Sequence, residues 1–189
     1  MNTLQRFLLA GLSTVALAST SFGARFYAQP SIAVAEISGF ESAAGPSLAL
    51  GVLFDGKHAL EIEGGRFDME ASYDSGAELR FIPVTLNYRY EFPIAKNFSG
   101  SLGVALGIVR EEADFSAIYY DPYSSSTPYS VHYQRTDEAF AAGFSGGVSY
   151  RWNDHVATTF GVKALRTGRS DAFVRTTCMT VQLGLNIRL

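Results

Sequence analysis

The sequence predicts an all-β chain, an eight-stranded antiparallel up-and-down transmembrane β-barrel, and three observations carry that prediction. Apolar residues recur with period two along most of the chain, the connections alternate between tight turns and longer polar stretches, and aromatic residues gather at the predicted strand ends. The 189 residues are 47% hydrophobic but only 17% charged. Beyond the N-terminus, however, no apolar run reaches the ~18 residues of a spanning helix. The length is that of one domain.

Met1–Gly23 reads as a secretory signal peptide. Arg6 is the positive n-region, Phe7–Ala18 the apolar core, and Ser21-Phe22-Gly23 a small-x-small site for cleavage after Gly23, with Ala18 an alternative. Removing this segment, with its single Arg and no acid, takes the net charge from −3 to −4, and the barrel is expected over residues 24–189. An acidic chain of this kind is no nucleic-acid binder. One cysteine, Cys178, excludes an internal disulfide, and no spacing suggests a metal or another cofactor.

Eight strands follow in order. Arg25–Ile37 alternates weakly, and Leu48–Phe54 and Ala59–Phe67 more clearly. In the fourth, Ile82, Val84, Leu86, Tyr88, Tyr90 and Phe92 alternate with Pro83, Thr85, Asn87, Arg89 and Glu91. In the fifth, Leu102, Val104, Leu106 and Ile108 alternate with Ser101, Gly103, Ala105 and Gly107. Phe140–Trp152 carries three internal glycines that weigh against a helix, Val156–Arg166 is seventh, and Val181–Leu189 alternates without exception. Asp55-Gly56, Pro93–Asn97 and Asn153-Asp154 are tight turns, and Asp55-Gly56 has the type I′ signature. Ser38–Gly45, Asp68–Gly76, Glu111–Asp137 and Thr167–Ala172 read as long loops. Short and long alternate strictly, which puts the turns and both termini on the periplasmic side and the loops outside.

A soluble lipocalin-like carrier would turn its large apolar residues inward and its charges outward. Here the polar face is small, made of Gly, Ser, Ala and Thr, which suits the narrow interior of eight strands, and the apolar face suits lipid. Tyr88, Tyr90, Phe92, Phe98, Tyr150 and Trp152 are expected in a turn-end girdle, and Phe67, Phe81 and Phe140 in a loop-end one.

The signal peptide, the strand Ile82–Phe92 and the alternating C-terminal strand resemble the bacterial outer-membrane β-barrels of the OmpA transmembrane-domain, OmpX and opacity-type family. The resemblance covers the whole mature chain. It implies the outer membrane of a Gram-negative bacterium, surroundings of lipid and lipopolysaccharide, and insertion by the barrel-assembly machinery, which reads a C-terminal strand whose usual terminal Phe is Leu189 here. No peptidoglycan-binding domain is expected after Leu189. Pro83, lacking an N–H, is expected at a bulge or rim.

Candidate functional residues fall in three sets. Strand parity points Glu61, Glu63, Arg89, Glu91, Arg151, Lys163 and Arg188 into the lumen, where charges must pair or keep water. Glu63 and Lys163, near the middle of opposite strands, are expected to meet across it as a plug. Arg66, Arg80, Arg110, Arg166 and Arg175 fall on the lipid-facing parity at the loop ends, a collar able to grip lipopolysaccharide phosphates. Tyr119, Tyr120, Tyr123 and Tyr129 in the third loop suit a surface contact.

His58 and His155 sit at the turn end and His132 has no assigned acid, so no catalytic group is assembled and an enzyme is not expected. Cys178 reads as a small lumen packing residue. The reading is a barrel with a filled lumen, serving envelope integrity or surface contact through its loops. A small porin-like diffusion channel is the alternative, and a soluble periplasmic carrier a third.

Overall fold

A computed structural model describes residues 3–21, 24–72, 77–119, 129–168 and 176–189. Thr3–Ser21 form the helix α1. The strand segments are β1 (Arg25–Ile37), β2 (Ala43–Phe54), β3 (His58–Gly65), β4 (Phe67–Glu70), β5 (Ala77–Pro93), β6 (Phe98–Tyr119), β7 (Tyr129–Arg151), β8 (Val156–Thr167) and β9 (Thr177–Arg188). Every neighbour is antiparallel in the order β3-β2-β1-β9-β8-β7-β6-β5, and β5 pairs back onto β3 to close the wall. β3 and β4 are two halves of one stave, since both pair with β5, so the barrel has eight.

The break in that stave has a steric cause. At Arg66 the backbone carbonyl lies where a Cβ on Gly45 would come within 1.9 Å of it, so the bend needs glycine at 45. Pro83 faces this interruption. The β3–β5 ladder ends at Gly64↔Val84 and the β4–β5 ladder resumes at Phe67↔Phe81, so the missing N–H falls where no bond is made on that side.

Odd-numbered residues of β1 to β8 and even-numbered ones of β9 point inward and are largely buried, while the alternate set faces out. The outward set includes exposed Ile32, Leu102, Leu106, Phe144, Phe160 and Leu183. On β6 the outward apolar run extends from Phe98 to Ile108 and ends at Arg110. Ten steps of ~3.3 Å, tilted by ~40°, make a belt about 25 Å tall, the thickness expected against lipid. A soluble carrier, with its apolar face inward, is excluded by this arrangement.

The turn-end girdle consists of Phe98 packed on Tyr150 at 4.9 Å, Trp152 edge-on to Tyr150 at 4.8 Å, and Tyr90 beside Phe92. His58 lies among Phe54, Tyr88 and Tyr90. Asp55 (φ 54°) and Gly56 (φ 65°) are both left-handed, as a type I′ turn requires.

Four expectations need correction. β2 begins at Ala43 and β4 runs on to Glu70, so the first two loops are shorter than their composition suggests. Residues 111–137 are mostly not loop: β6 and β7 run on in register to Tyr119↔Tyr129. These arms carry polar residues on both faces and so lack the apolar alternation that marks a strand, because above the membrane no face needs to meet lipid. Finally, Phe67 and Phe81 are not girdle residues; they are 2% and 0% exposed and point into the lumen.

α1 packs on the outside of the barrel, Gly11 against Ile62. No described helix is long and apolar enough to cross a membrane.

Candidate functional site

The lumen has two layers of opposite character. Toward the loops, Ile37, Phe67, Met69, Leu79, Phe81, Val109 and Cys178 form one buried cluster with Ala33, Ala35, Ala113 and Ala141. Toward the turns the inward residues of β1, β3 and β5 are polar and charged, and those of β6 to β8 are mostly Gly, Ser and Thr. Large side chains from one wall therefore fill the space that the small residues of the other leave open.

Three acids and three bases meet in the polar layer. Lys163 on β8 forms an ion pair with Glu63 on β3. The same carboxylate accepts hydrogen bonds from Asn87 Nδ2 (2.9 Å) and Ser47 Oγ (3.1 Å). Glu61 accepts from Tyr27 Oη at 2.5 Å and from Asn87 at 3.3 Å, and pairs with Arg89 at 3.4 Å. Arg89 also bonds Glu91 at 3.1 Å, lies 5.7 Å from the centre of the Tyr27 ring, and leaves Glu91 within 3.8 Å of Arg188. Buried charges need this density of partners, because each ion loses its water. Arg151 stands apart, exposed at the turn end, in a vestibule of about 250 Å³ that Lys57, Glu91 and Lys96 also line.

Little room remains between these groups. One polar cavity of about 40 Å³ lies between the Glu63–Lys163 pair and Ser101, Ser145 and Thr159, and another of about 20 Å³ lies between Ser47, Thr85 and Leu165. Each has space for about one or two waters.

Sequence reasoning looked for inward charges and missed their partners Tyr27, Ser47 and Asn87, although all three lie on the inward parity. It also missed the apolar layer, whose signal was present. The inward parity continued through Phe67, Met69, Leu79 and Phe81 picks out four large apolar residues at and beyond the expected strand ends, of which Met69 fell in the expected loop and Phe67 and Phe81 in the expected girdle.

At the outer rim, Arg66 pairs with Asp68 (3.0 Å), Asp68 with Arg80 (2.8 Å), Arg80 with Glu112 (2.9 Å), and Glu112 with Arg110 (2.8 Å). Three arginines thus alternate with two carboxylates in one chain across the third, fourth and fifth staves. Hydrogen bonding to Arg80, and then to Arg66, holds the Asp68 carboxyl below its ordinary range. Arg166 on β8 is exposed, and among the described residues no carboxylate lies within ion-pair distance of it. Arg175 lies outside the described residues. Of the tyrosines, Tyr119 and Tyr129 are register partners at the end of the described hairpin arms, and Tyr120 and Tyr123 lie outside the described residues.

No family model and no curated relative matches the chain. Among solved structures it is similar to Neisserial surface protein A, with a TM-score of 0.63 at 16% identity over 88% of this chain and 97% of that one. Ail, the attachment invasion locus protein of Yersinia pestis, superposes with a TM-score of 0.53 at 14% identity over 88% and 97%. A major outer membrane protein of Thermus thermophilus does so at 0.53 and 11% over 86% and 99%. At such identities the likeness is one of fold, and that fold is the eight-stranded β-barrel of outer-membrane proteins.

Proposed function

We propose that this barrel does not conduct solutes and acts in the bacterial envelope without catalysis, stiffening the outer membrane and presenting the β6–β7 hairpin as a contact surface outside the cell. The observation that carries this reading is the buried layer of Phe67, Leu79, Phe81 and Val109 across the lumen, with cavities of only about 40 and 20 Å³ in the polar layer. A solute would have to displace packed side chains and separate Glu63 from Lys163.

The hairpin is the element with reach. From Arg110 to Tyr119 it carries ten residues beyond the apolar belt, about 30 Å of strand. Ail has been solved in complex with a heparin analogue, sucrose octasulfate. For this chain a polyanion is a poor partner, since residues 111–138 hold six carboxylates against Arg135 alone as a formal cation. The tyrosines at its tip favour a protein surface with apolar and hydrogen-bonding patches. The arginines of the rim complete the picture as a collar toward lipopolysaccharide phosphates, in which Arg66, Arg80 and Arg110 share their charge with Asp68 and Glu112. Export by the signal peptide and insertion by the barrel-assembly machinery precede this state. Loss of α1 on cleavage leaves Val52, Ile62 and Val84, outward by parity but buried in this structure, to face lipid.

The test is a planar-bilayer recording on the refolded barrel alongside cell-binding assays. No discrete openings, together with binding lost when residues 112–136 are replaced by a tight turn, is the expected result. Steady unit conductance would overturn the closed-lumen reading and establish the diffusion channel.

A further inference from the structure

The lipid-facing wall of β6, β7 and β8 is not smooth. An open apolar groove of about 700 Å³ runs over it, with Ala142 and Ala164 as its floor, Phe140, Phe144 and Leu106 as its walls, and Arg166 at its loop end. Its shape follows from register. Ala142 stands between Leu106 and Arg166 on the neighbouring strands, and Ala164 stands opposite Phe144. Two methyl groups therefore lie sunk between rings that are 58% and 73% exposed.

We propose that this groove holds an acyl chain of a phosphorylated glycolipid of the outer leaflet, with the lipid's phosphate on the Arg166 guanidinium. The proposal rests on the collar reading above and narrows it to one site. Lipid tails are as apolar as the wall, so a recess gains nothing by excluding water and any tail can enter it. Selection must come from the charge at its head. Among the described residues, Arg166 is the one collar arginine with no carboxylate at ion-pair distance, whereas Arg66, Arg80 and Arg110 divide Asp68 and Glu112 among them. It also lies in register with Ala142, so its guanidinium borders the apolar wall, where a cation without a counter-ion is costly and a phosphate removes that cost. The guanidinium fork matches two phosphate oxygens. The groove opens at the loop end, which faces the outer leaflet, and in an outer membrane the phosphate-bearing lipid of that leaflet is the glycolipid.

The experiment places the full barrel, purified from outer membranes, in nanodiscs holding equal amounts of doubly phosphorylated lipid A and phosphatidylglycerol, and counts retained lipids by native mass spectrometry. Wild type is expected to keep one lipid A. Arg166→Gln, and Ala142→Leu with Ala164→Leu, are expected to lower that retention by about tenfold. Arg166→Lys should recover part of it, and Lys57→Gln at the turn end should leave it unchanged. A shift in gel mobility on boiling checks the fold of each variant, and Arg166→Gln alone decides if the groove-filling pair does not insert. Retention unchanged in Arg166→Gln overturns the site, and equal retention of phosphatidylglycerol overturns the choice of lipid. Arg80→Gln separates the two readings: a loss as large as that of Arg166→Gln overturns the groove and leaves the collar, and no loss in any arginine variant removes both.

Discussion

Removing one partner of the Glu63–Lys163 pair tests whether the lumen is held by a true cross-barrel ion pair. In Lys163→Met, Glu63 stays buried with hydrogen bonds from Ser47 and Asn87, so the loss belongs at the lower end of the ~3–5 kcal/mol typical of a stranded buried charge. In Glu63→Gln the Lys163 ammonium keeps an amide oxygen within reach but no carboxylate, and a loss of about 3 kcal/mol is again expected. The double variant carries neither charge, and isosteric neutral replacement of a buried pair is often without cost, so it should fall within ~1 kcal/mol of wild type. The coupling energy then amounts to about 5 kcal/mol. Reversible urea titration in lipid vesicles, followed by the fluorescence of Trp152 and by gel mobility, measures all four proteins. Additive losses in the double variant, or single losses below ~0.5 kcal/mol, would refute the reasoning: the two side chains would then be solvated independently, and the lumen would be wet.

Three further outcomes follow from the same structure. Phe81→Ala empties the centre of the apolar layer and should cost about 3–5 kcal/mol in the same titration; if it also brings conductance, that layer is the barrier. Gly56→Val puts a β-branched residue at φ 65° beside Asp55 at φ 54° and should cost about 1–2 kcal/mol, whereas Gly56→Asn should cost a few tenths, read as a difference in urea midpoint. Just above the apolar belt, burial and then the neighbouring Asp137 carboxylate push the Glu111 carboxyl up to about 7. Because the folded hairpin favours the protonated form, its base is most stable below the ordinary carboxylate range and loses that contribution as pH rises from there to about 7. Amide protection factors around residues 109–113, corrected for the intrinsic pH dependence of exchange, should therefore fall between about pH 4.5 and pH 7, and Glu111→Gln should flatten the change.

The membrane part of the fold was legible because lipid imposes a strict rule: outward residues must be apolar, so period two survives in the sequence from Phe98 to Ile108 and from Val181 to Leu185. Where lipid ends, the rule ends. The arms of β6 and β7 above Arg110 are strands that no alternation announces, and the β3–β4 bend at Arg66 depends on its contact with Gly45 on another strand. Parity picked out Glu61, Glu63, Arg89, Glu91, Lys163 and Arg188 on the inward face, whereas Arg151, on the same parity, stays exposed at the turn end. Their partners Tyr27 and Asn87 were not, because a tyrosine or an asparagine on the inward face is unremarkable until the barrel closes around it.

The sequence by itself determined the fold class, the number of staves, which face meets lipid, and which end carries turns. These are all properties of one strand and its immediate connections, set by side-chain alternation and turn chemistry. Only the tertiary structure decided that Phe67 and Phe81 pack inside the lumen, that Glu63 holds Lys163, that Asp68 and Glu112 occupy three of the rim arginines, and that Arg166 borders a groove with no described carboxylate in reach. Each of these depends on the register between strands far apart in the chain, and that register is set only when the barrel closes.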